Sequence, residues 1–400
     1  MLLDALTLGL GYNATLVTIG ASLLGASAGI TGSYLFLRKR ALVSDAISHA
    51  TLPGVALAFL VMVALGGDGR SLGGLLLGSA ISAGLGLLVV EWLTRATRIG
   101  EDAAIGAVLS VFFGAGVVLL TIIQSLPTGR QAGLEGFLLG SAASMLRGEA
   151  VLIAMGGAVT MVCLFVLRRP LSLVAFDPAF AETRGINTRA IDLALMGLVL
   201  AVTVVGLKVV GLILIVAMLI IPAVAARFWS EHLGTMVAIA GLIGALSGYV
   251  GAAVSATAPD LPTGPIIVLF AFGAFAISML FAPSRGLMGA FKTRSRYHGQ
   301  VHLRQGLLAL ATGQPIYERL TLRLLQRAGF VHGDGVATEA GAAAAARALL
   351  DESRWSVLRQ TPELAGARSA YDGFTPIDSI LTPDQIAAID SRLPGLKGVS

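Results

Sequence analysis

The chain has 400 residues, 56% of them hydrophobic and only 13% charged, with a mean hydropathy of +0.84. That balance excludes an ordinary water-soluble domain, and a net charge of +5 gives little reason to expect nucleic acid as a partner. The charge is uneven: residues 1–285 carry 28 charged side chains (net +2), about one in ten, whereas 286–400 carry 23 (net +3), about one in five. A membrane domain over 1–285 and a water-soluble extension over 286–400 are expected. The single cysteine, Cys163, lies in an apolar run; it allows no disulfide within one chain and no cysteine metal cluster, and it reads as a small buried hydrophobe. The N-terminal Met1-Leu-Leu-Asp4 lacks a basic n-region, so no cleavable signal peptide is expected.

Apolar runs near spanning length fall at about 14–37, 43–65, 72–94, 103–124, 149–167, 190–206, 209–226, 234–256 and 265–283. A further segment, Leu134 to Leu146, is too short to cross and reads as interfacial or re-entrant. With nine crossings, eleven basic residues fall on one side: Arg38, Lys39, Arg40, Arg95, Arg98, Arg168, Arg169, Arg184, Arg189, Arg227 and Arg285. Only four, Arg70, Arg130, Arg147 and Lys208, fall on the other. The positive-inside rule then places the N-terminus outside and the extension in the cytoplasm, in a multi-pass protein of the plasma (inner) membrane. The stretch Gly206-Leu-Lys208-Val-Val-Gly211 makes a poor external loop and reads equally as a kink in one long helix, which leaves eight crossings. Glycines recur inside the runs, as at Gly73-Gly74, Gly78, Gly84 and Gly86. Small residues let membrane helices approach closely, so a compact polytopic bundle is expected.

Asp45 and His49 are the most informative pair. His49 is the one histidine inside a strongly apolar run, and Asp45 precedes it by four residues, so both side chains share one helix face. Ionisable groups at membrane depth are costly and mark ion or substrate paths. A carboxylate oxygen beside an imidazole suits a first-row divalent cation. Two ligands do not complete a site, and a second copy of the helix would bring the number to four. The competing reading makes Ser44 or Asp45 the N-cap of the second crossing and His49 a core histidine.

Further along, Glu101 and Asp102 read as an acidic helix start. Phe176-Asp177-Pro178-Ala-Phe180-Ala-Glu182-Thr-Arg-Gly185 reads as a short capped helix between crossings, with Asp177 as N-cap, Pro178 in the first turn and Gly185 as the stop. Phe176 and Phe180 share a face, suited either to docking on a protein or to lying on lipid. Pro259-Asp260-Leu-Pro262-Thr-Gly264-Pro265 reads as a rigid outer loop. No G-x-x-x-x-G-K-[ST] string occurs, so the chain shows no means of hydrolysing ATP itself.

Together, Ser44-Asp45-Ala-Ile-Ser-His49 to Pro53-Gly54, Glu101-Asp102-Ala-Ala-Ile-Gly106, Phe176-Asp177-Pro178 to Gly185, Val209-Val-Gly211 to Pro222-Ala223, and Asp260-Leu-Pro-Thr-Gly264 resemble the permease subunits of metal-ion ABC transporters, the zinc, manganese and iron family. The resemblance covers about residues 12–284. It implies a non-catalytic transport subunit of an importer, dimerised with a second permease copy or paralogue, with ABC ATPase subunits below and an extracytoplasmic metal-binding protein above. It also implies a transient metal site at Asp45 and His49 and an ATPase-coupling helix at Phe176, Asp177, Pro178, Phe180, Glu182 and Gly185. No cofactor is expected to be held permanently; zinc, manganese or iron is cargo.

Residues 299–360 weakly resemble the winged helix of iron-dependent repressors. Thr321 to Ala328 would be the recognition helix, Gly329 to Thr338 the wing hairpin and Glu339 to Glu352 the next helix. The repressors' metal-binding histidine is matched by Ser353, which argues against metal sensing there. Arg319, Arg323 and Arg327 form one basic face, read as a solvated surface rather than a phosphate contact. Beyond 360, Thr382-Pro383-Asp384 suggests a short capped helix.

The expected fold is therefore an all-α polytopic membrane domain of eight or nine helices followed by a small cytoplasmic winged-helix-like domain. Two other functions stand beside the importer. An ion-coupled secondary transporter or channel would use Asp45 and His49 as a relay without an ATPase. A membrane-tethered transcriptional regulator would use the helices as an anchor only.

Overall fold

The computed structural model describes residues 7, 9, 11–67, 69, 71–125, 147–258, 261–361, 367 and 373–393. It divides into two compact units, Met1–Gly289 and Ala290–Ser400. The Leu134–Leu146 segment and the Arg70, Arg130, Pro259 and Asp260 positions lie outside the described residues.

In the first unit the chain forms α1 (Tyr12–Leu37), α2 (Ala41–Ala64), α3 (Leu72–Ala96), α4 (Glu101–Ser125), α5 (Arg147–Phe176), the short α6 (Pro178–Thr183), α7 (Thr188–Gly206), α8 (Leu212–Arg227), α9 (Leu233–Ser255) and α10 (Thr263–Phe281). Helices are the expected answer for apolar runs of this length, because a backbone without water must satisfy its own hydrogen bonds. Eight of these helices are long and apolar enough to span a bilayer.

The remaining long one, α8, has 16 residues and so a length of about 24 Å. It still runs from one edge of the bundle to the other. Its start lies where Gly264 of α10 meets the Val210 carbonyl, and its end packs Ala226 among Phe36 and Leu37 at the end of α1. Residues 207–210 are not an exposed loop: Leu207, Val209 and Val210 are buried, and Lys208 pairs with Glu149 at 3.6 Å. Gly211, at φ +89°, allows the chain to turn into α8 in a conformation that side-chain-bearing residues avoid. A second departure from the sequence reading concerns α5. It continues through Arg168, Arg169 and Pro170 to Phe176, so those arginines sit on a helix rather than in a connection.

One edge of the bundle gathers the ends of α1, α3 and α5 and the starts of α2, α4 and α7. This follows from ion pairs of Arg40 with Glu101 and of Arg38 with Asp192, and from a hydrogen bond of Arg38 to the Val174 carbonyl. The α1–α2 turn is tight. Lys39 takes φ +57°, and the amide of Arg40 donates to the Leu35 carbonyl, closing α1 with a left-handed cap usually made by glycine.

Packing relies on the missing side chains of glycine. A Cβ on Gly25 of α1 would lie 2.1 Å from the Gly244 carbonyl oxygen of α9, and one on Gly244 would lie 2.0 Å from the Gly25 carbonyl oxygen. The same contact joins Gly54 of α2 to Gly78 of α3. Not every helical glycine serves this purpose: a Cβ on Gly73 meets nothing and one on Gly84 meets only Leu200 at 3.9 Å. Gly25→Leu should therefore force α1 and α9 apart and cost at least about 3 kcal/mol, read as a lowered unfolding temperature of the purified protein. Gly84→Ala should leave that temperature unchanged or raised.

The second unit holds most of α11 (Leu287–Ala311), then α12 (Arg319–Arg327), α13 (Glu339–Arg359), a 3₁₀ turn at Ile377–Ser379 and α14 (Pro383–Asp390). Trp355, Leu358, Ile377, Leu381 and Ile389 form its small core. Arg354 clasps it, meeting both oxygens of Asp390 at 2.7 Å and Asp378 at 2.7 Å. Between α12 and α13 the described residues form a single antiparallel bridge, Val331 to Ala337, with the His332 amide donating to the Val336 carbonyl at 2.8 Å. The expected wing is thus a turn with one bridge and no extended strand pair among the described residues. Ser353 donates its hydroxyl to the Leu349 carbonyl of its own helix. Thr382 and Gln385 form a capping box on α14, with Pro383 in its first turn.

Glu352 lies between Arg304 (2.9 Å) and Arg359 (3.0 Å). Burial raises its pKa, but the two guanidinium groups outweigh burial and hold it below the ordinary value. A depressed carboxylate stabilises the folded state above its unfolded pKa, and the benefit disappears as pH falls through the folded one. The full chain should thus lose stability in this unit as pH drops below about 4.3, and Glu352→Gln should flatten that fall; thermal melts across pH 3–7 would check it.

Candidate functional site

Asp45 and His49 stand in the second and third turns of α2, which starts at Ala41 with Arg40 as N-cap. Ser44 and Asp45 are therefore inside the helix and cap nothing; the Ser44 hydroxyl donates to the Ala41 carbonyl. The structure brings the predicted pair together: His49 Nε2 lies 3.4 Å from Asp45 Oδ1. Two ligands each about 2.1 Å from one ion, at the tetrahedral angle, sit about 3.4 Å apart, so the pair can chelate a single divalent ion without rearrangement. The Phe113 ring of α4 meets the imidazole edge-on with centroids 5.0 Å apart, fixing its plane. His49 Nδ1 is buried and has no hydrogen-bond partner among the described residues.

The pair opens outward. The Asp45 side chain is 41% exposed and the neighbouring Leu42 is exposed, whereas the other sides of α2 are packed. Beside it α4 presents Gly106, Ser110 and Gly114 on an exposed face, with nothing near a Cβ at either glycine. No third His, Cys, Asp or Glu completes a metal cluster among the described residues. One chain thus offers two donor groups, a carboxylate and an imidazole, beside an exposed face of small residues on α4.

The second predicted set forms a distinct feature. Asp177 caps α6, accepting from the Phe180 amide at 2.9 Å, and Pro178 occupies the first turn. Gly185, at φ +76°, ends it; its amide donates to the Glu182 carbonyl and that of Ile186 to the Ala181 carbonyl, a complete Schellman stop. The Glu182 carboxylate accepts from the Thr188 hydroxyl at 2.8 Å, tying α6 to the start of α7. Only Ala181 of α6 is buried. Phe176, at the end of α5, and Phe180 are 65% and 44% exposed, with Arg184 over the Phe180 ring at 5.3 Å, so this corner presents two largely uncovered aromatic rings.

No hydrogen bond or ion pair among the described residues joins α6 directly to Asp45 or His49. An ionic group not singled out in the sequence lies between them. Asp192, four residues into α7, binds Arg38 at 2.5 Å and Arg40 at 3.9 Å, and Arg40 reaches Glu101 at 3.1 Å. Arg38 also donates to the Val174 carbonyl at 2.9 Å, next to the end of α5. The helices flanking α6 are thereby clamped to the starts of α2 and α4, which carry Asp45, His49 and Phe113. The available signal was Asp192 itself, an acid within a helix otherwise fit to span.

Gly25-Ala-Ser27-Ala-Gly29 spells a G-x-S-x-G string, but it lies inside α1 and its serine donates to the Leu24 carbonyl; it is no strand-to-helix nucleophile turn.

Comparison with known proteins agrees with this architecture. Residues 12–282 match the ABC 3 transport family. The chain is 41% identical over 298 residues to the manganese transport system membrane protein MntC of Bacillus subtilis, covering 74% of this chain and 67% of that one. It is 39% identical over 285 residues to the zinc transport system membrane protein TroC of Treponema pallidum, covering 71% and 94%. Among solved structures, PsaBC from Streptococcus pneumoniae in complex with a Fab superposes with a TM-score of 0.60 at 29% identity, covering 71% of this chain and 96% of that one. An all-helical bundle of this pattern, carrying these matches across more than half its length, belongs to the ABC 3 transport family.

Proposed function

We propose that this chain is the membrane-spanning permease subunit of an ATP-binding-cassette importer for a divalent metal ion, manganese or zinc. The observation that carries the reading is the convergence of Asp45 and His49 on a single point, on a bundle of the ABC 3 transport family. The relatives' names supply the two metals; a carboxylate and an imidazole accept manganese, zinc or iron, and availability decides among them.

In this reading the edge bearing Arg38, Arg40 and α6 faces the cytoplasm, in line with the basic residues gathered there. Phe176 and Phe180 seat α6 in a groove of a separate ATPase subunit, since the sequence has no phosphate-binding loop of its own. A second permease copy or paralogue meets the exposed face of α2 and α4 and contributes its own carboxylate and imidazole. An extracytoplasmic binding protein delivers metal at the opposite edge. The extension from Ala290 is a cytoplasmic domain resembling a winged helix, a reading supported by the order of α12, the bridged turn and α13.

ATP-dependent uptake of radioactive manganese and zinc into proteoliposomes holding the permease, its ATPase and a binding protein tests the assignment. Uptake that needs both ATP and this chain supports it; uptake driven by an ion gradient without ATP would favour the secondary-transporter reading instead. Phe176→Ala combined with Phe180→Ala should weaken co-purification of the ATPase by about tenfold or more, because exposed aromatic anchors dominate such interfaces. Unchanged co-purification would leave α6 as a lipid-surface helix.

A further inference from the structure

A cleft of 720 Å³ opens on the outside of the first unit between α5 and α9, with Ile30 and Tyr34 of α1 as its floor. Its walls are apolar, from Leu164 and Phe165 on α5 to Val237 and Ala238 on α9. Two cations stand at one end, Arg168 and Arg169. That end belongs to the basic edge, since Tyr34 is one turn before the end of α1 and Leu233 and Gly234 begin α9.

The arginines have no carboxylate within ion-pair distance among the described residues, unlike Arg38, Arg40 and Arg95 of the same edge. Arg168 lies over the Phe165 ring, with 4.3 Å from its Cζ to the ring centroid, which holds its charge at this end of the cleft. Arginines at a membrane edge with no carboxylate partner are well placed to meet an anionic headgroup. On α5 two of them stand seven and eight residues before its end at Phe176, next to an apolar groove that protein leaves empty.

We propose that this cleft binds an anionic phospholipid, with the phosphate on Arg168 and Arg169 and an acyl chain along the apolar groove between α5 and α9. Three properties point to this ligand. Planar guanidinium groups match phosphate oxygens in bidentate fashion. The volume lies within the roughly 300–1,000 Å³ of small-molecule sites. The cleft also faces the side from which lipid arrives, so no entry path is needed. Basic pockets between spanning helices are a recognised way of selecting anionic headgroups. The site is separate from Asp45 and His49, which lie on α2, a helix that contributes no residue to the cleft.

The test is native mass spectrometry of the purified permease complex after exchange into micelles with equal phosphatidylglycerol and phosphatidylcholine. Two arginines should give about a 30-fold preference for phosphatidylglycerol. Arg168→Gln with Arg169→Gln should remove the preference, whereas Arg98→Gln, an equal loss of charge per residue on the same edge, should keep it. Gly234→Phe fills the cleft from a position where a Cβ meets nothing, so the fold survives and both lipids should be lost. Equal retention of the two lipids by the unmodified protein, or retention that ignores Gly234→Phe, would overturn the proposal. So would displacement of phosphatidylglycerol by millimolar inorganic phosphate, because the site would then recognise phosphate without the acyl chain.

Discussion

Alanine at Asp45 or at His49 should reduce metal uptake by at least about 100-fold while leaving assembly and ATP hydrolysis intact. Even partners that only orient a metal ligand are worth 10–100-fold in affinity, so the ligands themselves set a lower bound there. The structure explains why folding should survive. The Asp45 side chain is 41% exposed and its contact with His49 spans 3.4 Å within one helix, so the pair's own contact holds no two helices together. His49→Ala removes one edge-on ring contact with Phe113, a loss of about 1 kcal/mol. His49→Asp should retain part of the uptake, and with altered preference, because it keeps two ligands but exchanges imidazole for carboxylate. Uptake in proteoliposomes alongside ATPase rate separates these outcomes; normal uptake by both alanine variants would remove the pair from the path.

The second large effect is expected at Asp192. Asp192→Ala leaves the Arg38 guanidinium, whose side chain is 18% exposed, with only the Val174 carbonyl as partner among the described residues, and removes one of the two carboxylates beside Arg40. Removing one member of a buried pair costs about 3–5 kcal/mol, and partial exposure lowers this to about 2–3 kcal/mol here. The functional consequence should exceed the stability loss. Asp192 joins α7, which follows α6, to the starts of α2 and α4; if α6 couples to an ATPase as proposed, its loss should let that movement dissipate before it reaches Asp45 and His49. The readout is ATP hydrolysed per metal ion carried, which should rise several-fold at temperatures where the variant is fully folded. Arg38→Ala combined with Asp192→Ala should be less damaging than the two single changes added together, because the double variant buries no unpaired charge. An unchanged ratio would reduce the pair to a fastening.

Much of this could be read in the residues. Long apolar runs leave few choices in a medium without water, so the spanning helices appear in the sequence within a few residues of their ends, except α5, which continues nine residues past the run read at 149–167. Asp45 and His49 sit four apart, and helical geometry alone brings them together. Asp177, Pro178 and Gly185 carry the start and stop of α6 in their own backbone preferences. Such features are local: they depend on neighbours within one or two turns.

What the residues did not reveal depends on contacts distant in sequence. Arg168 and Arg169 read as a connection because charge marks membrane edges on average; the structure carries α5 through them and sets them over a cleft built partly by α9. Gly25 and Gly244 are equivalent to Gly84 in composition, and only the crossing of α1 with α9 makes their missing Cβ atoms essential. Arg38 and Asp192 stand 154 positions apart, and no spacing rule connects them. The sequence by itself thus determined most of the helices, the start and stop of α6 and the pairing of Asp45 with His49, because these follow from periodicity and backbone preference. Tertiary structure alone decided which glycines touch, which charges are paired and which are left free, because those depend on how helices approach one another across the bundle.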